Sequence, residues 1–139
     1  MNKKELESLV GHERKHKYGA VRVTCKLGHR HPSKAEAMHC WSLQCQIRQG
    51  IIKDLEYEKS YDLTMNGKKI GTHRPDFTFK RPTFKITKTV PYSEVSEIDW
   101  NNPKICVDEV KGFQTADWKM KYKIFLTLYP HIEYRIIQN

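Results

Sequence analysis

Apolar and polar residues alternate along several short stretches of the chain, and this alternation predicts its strands. The predicted strands are 21–24, 29–31, one or two strands within 51–65, 68–72, 74–80, 104–110 and 133–137. Asn66 and Gly67 separate two of these stretches, and this dipeptide is typical of a two-residue hairpin turn.

Two other segments carry apolar residues at helical spacing. The first begins after Ser33, the predicted N-cap of a capping box with Glu36, and ends before Gly50. The second begins at Thr115 or Ala116 and ends near Leu128, ahead of Pro130. Their predicted inner stripes are Ala37, Cys40, Trp41, Gln44 and Ile47, and Trp118, Tyr122 and Phe125 with Leu128 or Tyr129.

The order β-β-α-β-β-β-β-α-β predicts an α/β fold with a mixed central β-sheet flanked by helices. We expect one domain over 20–139, with an insertion at about 81–103. Alternation around Phe84 and Ile86 indicates an added hairpin arm, and 91–103 is interpreted as a loop. Residues 1–19 are polar and basic, which predicts a mobile arm along phosphates or a solvated tail.

Charge narrows the class of partner. The 139 residues carry a formal net charge of +9, and residues 1–34 hold nine Lys/Arg against three Asp/Glu. A basic chain suits a polyanion, of which nucleic acid is the commonest. The candidate DNA contacts are Arg14, Lys15, Lys17, Arg30, Lys34, Arg74, Lys119 and Lys123. No membrane span or secretory signal is recognisable, so we expect a cytoplasmic protein with reduced thiols.

Cysteine and histidine are concentrated before and within the first predicted helix. Cys25, His29, His31, His39 and Cys40 are near one another in sequence. Their spacing matches no standard structural zinc site, so we expect no zinc and interpret them as small buried groups and loop histidines.

The strongest chemical signal is the run from Val107 to Gly112, at the end of a predicted strand. Period-two alternation puts Glu109 and Lys111 on one face, which continues an apolar face formed by Ile105 and Val107. Burying such charges is costly unless they pair or hold a metal. Asp76 lies in a second predicted strand that we expect nearby.

Two carboxylates and a lysine suit metal-dependent phosphodiester hydrolysis. Asp76 and Glu109 are the predicted Mg²⁺ ligands, and the Val110 carbonyl is a third. Lys111 would orient or deprotonate the attacking water, or offset charge on the phosphate. Glu36 has two interpretations, as helix cap or as a further metal ligand, and both stay open.

These residues resemble the PD-(D/E)XK nuclease superfamily through Pro75-Asp76, Glu109-Val110-Lys111 and Glu36. More closely, the chain resembles small phage and prophage proteins usually placed in that superfamily. The segments that carry this likeness are 17–20, 33–37, 50–56, 74–77, 109–113 and the helix through Lys123. The resemblance implies a restriction-endonuclease-like core, Mg²⁺ or Mn²⁺ dependence, and catalytic roles for Asp76, Glu109, Lys111 and, as an auxiliary acid, Glu36.

Relatives in the superfamily include Holliday-junction resolvases, which act as dimers on branched DNA. The resemblance therefore implies a homodimeric endodeoxyribonuclease selective for branched DNA, in phage DNA processing and recombination within a bacterial host. The alternatives are a nicking or general duplex endonuclease, an inactive DNA-binding module and a zinc-stabilised interaction protein. Two features depart from the superfamily pattern, the long spacing between Asp76 and Glu109 and the hairpin rich in His and Cys.

Overall fold

A computed structural model describes residues 23–25 and 28–138. The predicted arm at 1–19, with the candidate contacts Arg14, Lys15 and Lys17, lies outside these residues. The chain divides into two compact units between Gln49 and Gly50. Neither of the two helices in the described part of the chain is long and apolar enough to cross a membrane.

The first unit contains a small hairpin and a helix. Strands β1 (Val23–Thr24) and β2 (Arg30–His31) pair antiparallel, and α1 spans Lys34–Arg48. The predicted cap is confirmed, because the Ser33 hydroxyl oxygen accepts a hydrogen bond from the Glu36 N–H at 3.2 Å.

The inner stripe predicted for α1 is partly wrong. Ala37 and Cys40 are buried as expected, but the third fully covered side chain is Leu43, while Trp41 and Ile47 are only half-buried. Leu43 follows Cys40 by three residues and therefore lies on the same helical face, which the choice of Gln44 overlooked.

The second unit contains six strands and the other helix. They are β3 (Lys53–Tyr57), β4 (Tyr61–Met65), β5 (Lys68–His73), β6 (Phe77–Val90), β7 (Ser93–Lys111), α2 (Ala116–Leu128) and β8 (Glu133–Gln138). Four strands form a mixed sheet in the order β3-β6-β7-β8, antiparallel except for the parallel pair β7-β8. The fold is therefore of the mixed α/β class, as predicted.

Strands β4 and β5 form a separate hairpin, and α2 packs against both. Asn66 and Gly67 close it with φ of 50° and 76°, which confirms the predicted turn. Between the hairpin, the sheet and the helix lies an apolar cluster of Tyr61, Leu63, Val107, Phe125 and Ile132. This packing holds α2 against the hairpin and against the part of β7 that contains Val107.

The prediction of a loop at 91–103 is wrong. Beyond their pairing with β3 and β8, strands β6 and β7 continue together as a two-stranded ribbon, in which Phe84 pairs with Ile98. The hairpin arm predicted from the alternation of Phe84 and Ile86 is present, but most side chains of the ribbon, including these two, are exposed. The alternation on β6 therefore marks a strand without marking a buried face.

Candidate functional site

The two predicted carboxylates come together on neighbouring strands. Phe77 pairs with Asp108, which puts Asp76 opposite Glu109 at the next position. The Asp76 N–H donates to Glu109 Oε2 at 3.0 Å, and the Val110 N–H donates to Asp76 Oδ2 at 2.8 Å. Each carboxylate is thus held by the backbone of the opposite strand, and the pair is pre-organised.

Lys111 is the third member of the group. Its Nζ is 3.8 Å from Glu109 Oε1 and 5.2 Å from the centroid of the Trp118 ring. The Lys111 side chain is 25% exposed, whereas that of Glu109 is 6% exposed. The ammonium therefore lies between a buried carboxylate, an aromatic face and solvent, as cation–π and ion-pair contacts favour.

A cavity of about 580 Å³ opens beside this group. Its basic side chains are Arg74, Lys111 and Lys121, and its acidic ones are Asp76, Glu109 and Asp117. The remaining lining residues are Thr72, His73, Thr115 and Trp118. A cavity that offers both carboxylates and cations has ligands for a metal ion and counter-charges for a phosphate.

The pKa of Glu109 is raised from 4.5 to about 7. Burial is the main cause, and the Asp76 carboxylate adds to it, while the Asp76 N–H and Lys111 act in the opposite direction. The two carboxylates repel each other because they are close together and Glu109 is buried. A divalent cation between them would relieve this repulsion.

The first turn of α2 forms one wall of the cavity. The Thr115 hydroxyl oxygen caps the helix by accepting from the Trp118 N–H at 3.1 Å, which fixes the turn. Trp118 Nε1 is buried and makes no hydrogen bond of good geometry within the described part of the chain, but its N–H lies close enough to Glu109 to favour the charged carboxylate.

A family model described as "Protein of unknown function (DUF1064)" matches residues 15–139. The chain belongs to the DUF1064 family. The matched range includes both units and all of the cavity-lining residues. No curated protein and no solved structure matches the chain.

The other predicted site residues are dispersed. Arg74 lines the cavity, whereas Lys119 and Lys123 lie exposed on α2 and do not line it. Arg30, Lys34 and Glu36 belong to the first unit, where Arg30 and Lys34 are exposed and Glu36 contributes its N–H to the helix cap. Both interpretations of the Glu36 carboxylate stay predictions, as does the role of the Val110 carbonyl.

Sequence reasoning missed several residues of the cavity, above all His73, Asp117 and Lys121. Asp117 and Lys121 form an ion pair at 3.4 Å one helical turn apart. The available signal was the position of Thr115, because a helix capped three residues after Gly112 must begin beside the end of β7. Nothing in the sequence singles out His73.

Asp108 has a structural role that the sequence did not indicate. Its carboxylate is fully buried, and Oδ1 and Oδ2 accept from Nε and Nη2 of Arg135 at 2.7 and 2.6 Å. Asp108 alternates with Val107 and Glu109 along β7, so its side chain lies on the opposite face of the strand, and it is buried there as well.

The buried position of His73 predicts that this residue makes the free energy of unfolding depend on pH. It is 3% exposed, its Nε2 is 2.8 Å from the Tyr134 hydroxyl, and burial, with Lys121 and Lys111, lowers its pKa from 6.5 to about 4. The folded state therefore resists protonation, and stability that is present above pH 6.5 is lost as the pH falls toward 4. Between pH 7 and 4.5, we expect the free energy of unfolding in urea of the wild type, taken relative to that of His73→Gln, to fall by about 2 kcal/mol. The raised pKa of Glu109 acts in the opposite direction, but it is common to both proteins and cancels in this difference.

The matched control for that measurement is His131→Gln, because His131 is exposed. Its free energy of unfolding should change with pH in parallel to that of the wild type. Parallel curves for His73→Gln as well would mean that His73 does not resist protonation in the folded state.

Proposed function

We propose that this protein is a metal-dependent endodeoxyribonuclease that hydrolyses phosphodiester bonds at the Asp76–Glu109–Lys111 group. The observation that carries the proposal is that backbone N–H groups hold the Asp76 and Glu109 carboxylates next to each other and beside Lys111. The group lies at a cavity that also contains other positively charged side chains. Two adjacent carboxylates are stabilised by a bound cation, and metal-dependent hydrolysis of a phosphodiester uses a cation bound in this way.

The donor set fits Mg²⁺ or Mn²⁺. Both candidate side-chain ligands, Asp76 and Glu109, offer carboxylate oxygen, which these hard cations prefer. The repulsion from Asp76 that adds to the raised pKa of Glu109 is one that a bound cation would offset. When bound, such an ion acts as a Lewis acid and makes an attacking water more acidic.

The chain's own residues have separable tasks in this proposal. Lys111 offsets charge on the phosphate or takes a proton from the attacking water. Arg74 and Lys121, from the other walls of the cavity, bind phosphate oxygens and orient the strand. The bracing of Asp76 and Glu109 keeps both carboxylates in place before substrate arrives, so little rearrangement is required on binding.

The finer fold and substrate assignments belong to the same proposal. A restriction-endonuclease-like core is supported by the mixed sheet and by the paired strands β6 and β7 that carry Asp76 and Glu109. Selectivity for branched DNA, action as a homodimer and a role in phage DNA processing rest on the superfamily resemblance and on the basic charge of +9.

The test is a cleavage assay with Mg²⁺, Mn²⁺ or EDTA on a four-way junction, a nicked duplex, a linear duplex and single strands. We expect metal-dependent cutting of the junction that Glu109→Gln abolishes, because the amide is neutral and a much poorer metal ligand. Equal cutting of linear duplex would replace junction selectivity with general endonuclease activity. Binding without cleavage in every metal would contradict the enzymatic proposal and favour a DNA-binding module.

A further inference from the structure

We propose that Cys25, His29, His31 and Cys40 bind one Zn²⁺ ion as a structural site of the first unit. The ligand atoms of these four side chains all lie within 4.8 Å of one another. This site is separate from the carboxylate group, shares no residue with it and does not depend on the proposed nuclease activity. It also runs against the expectation from spacing that zinc would be absent.

The local fold explains how an irregular spacing produces a compact cluster. Pairing of β1 with β2 puts Val23 beside His31, and the Cys25 N–H donates to the His29 carbonyl at 2.7 Å. Three ligands therefore come from the hairpin. The fourth, Cys40, lies on the buried face of α1, which packs against both short strands.

The distances suit tetrahedral coordination. With Zn–S bonds of about 2.3 Å and Zn–N bonds of about 2.0–2.1 Å, neighbouring ligand atoms are about 3.3–3.8 Å apart. Cys40 Sγ and His29 Nδ1 are already 3.8 Å apart. Because all four ligand atoms lie within 4.8 Å of one another, coordination requires side-chain adjustments of no more than about 1 Å.

The chemistry of the donors selects zinc over the cations expected at Asp76 and Glu109. Two thiolates and two imidazoles are soft and borderline ligands, whereas Mg²⁺ prefers oxygen. Four protein ligands close the coordination shell, which is the pattern of a structural site. Binding replaces the thiol protons of Cys25 and Cys40, so two protons are released per ion when both thiols start protonated.

The described part of the first unit also has little else to hold it together. Its strands are two residues long, and its buried apolar side chains are Val23, Cys25, Ala37, Cys40 and Leu43. A core this small is typically reinforced by a metal or a disulfide. A bound ion that joins the hairpin to α1 would supply that reinforcement.

The test uses the full chain, expressed in zinc-supplemented medium and purified under reducing conditions without chelators. We expect about one zinc per chain by elemental analysis. Replacement with Co²⁺ should give the intense visible bands of tetrahedral cobalt and a thiolate-to-cobalt charge-transfer band. Cobalt held only by oxygen ligands gives weak bands, so the spectrum distinguishes this site from the carboxylate group.

Variants localise the metal. Cys25→Ser, His31→Asn and Cys40→Ser should each lose the stoichiometric zinc, while Cys45→Ser, on the same helix but outside the cluster, should keep it. Asp76→Asn should also keep it. Absence of both stoichiometric zinc and tetrahedral cobalt bands in the wild-type chain would overturn the proposal, and so would zinc that survives Cys40→Ser. The cobalt spectrum of the wild type decides even where a variant fails to fold.

Discussion

Replacing Lys111 with alanine is expected to lower the rate of metal-dependent DNA cleavage by about 10²- to 10⁴-fold. The Lys111 ammonium is 3.8 Å from Glu109 Oε1, at the edge of the group where a phosphate would gain charge during hydrolysis. DNA affinity should change little, because Arg74, Lys121 and the overall charge of +9 remain. Single-turnover cleavage and a binding titration in Ca²⁺ measure the two effects separately.

A second substitution at this position distinguishes how Lys111 acts. Lys111→Arg keeps the positive charge but cannot take a proton near neutral pH. If the lysine only offsets charge, the arginine variant should retain much of the activity, whereas a proton-transfer role predicts a loss close to that of alanine.

The matched control is Lys69→Ala, because Lys69 is an exposed lysine in an ion pair with Asp62 and lies outside the cavity. Its cleavage rate should be that of the wild type. Since the Lys111 ammonium lies over the Trp118 ring, its removal can also affect stability, and the unfolding midpoint of each variant must be measured as well. Wild-type cleavage by folded Lys111→Ala would refute the catalytic assignment.

The parts of the fold that sequence reasoning predicted are those with local signals. Ser33 was predicted as an N-cap from the capping-box pattern, and the second helix was predicted to begin at Thr115 or Ala116, since helix starts have sequence signals that need no tertiary information. In the structure both Ser33 and Thr115 cap their helices. The turn at Asn66 and Gly67 is equally local, since both residues tolerate positive φ. The juxtaposition of Asp76 and Glu109 followed from expecting their two strands to be neighbours.

The parts that sequence reasoning missed depend on distant partners. Residues 93–103 read as a loop because nothing in their side chains reveals that β6 provides their hydrogen-bond partners. The Cys/His cluster was missed for a related reason, since the spacing of ligands was judged without the hairpin that brings Cys25 and His31 toward Cys40. Rules on the sequence spacing of zinc ligands are derived from known sites, whereas the folded structure determines which side chains come close together.

Asp108 is the clearest case of this kind. The alternation predicts one shared face for Val107 and Glu109, and it makes no prediction for Asp108 between them. The residue that makes its burial possible, Arg135, lies 27 positions away on β8, directly beside it in the parallel register. A charged residue within a buried strand indicates that a partner is present, but the sequence does not show which residue that partner is.

Arg135→Ala is accordingly expected to destabilise the second unit by about 3–5 kcal/mol at pH 7. The substitution removes the two hydrogen bonds that Arg135 donates to Asp108, and with them a positive charge beside a fully buried carboxylate. Lys69→Ala again provides the comparison, because it breaks an exposed ion pair and should cost no more than about 1 kcal/mol. Urea unfolding curves for the three proteins measure these differences in the free energy of unfolding.

The pH dependence of the Arg135→Ala effect identifies its cause. Loss of the Arg135 charge raises the pKa of Asp108 in the folded variant relative to that in the folded wild type, so the folded variant takes up a proton at a higher pH. The deficit relative to wild type should therefore shrink as the pH falls from 7 toward 5, and Asp108→Asn combined with Arg135→Met should recover part of the loss at pH 7. A deficit no larger than that of Lys69→Ala, unchanged across this range, would mean that Asp108 is solvated and that the ion pair contributes little.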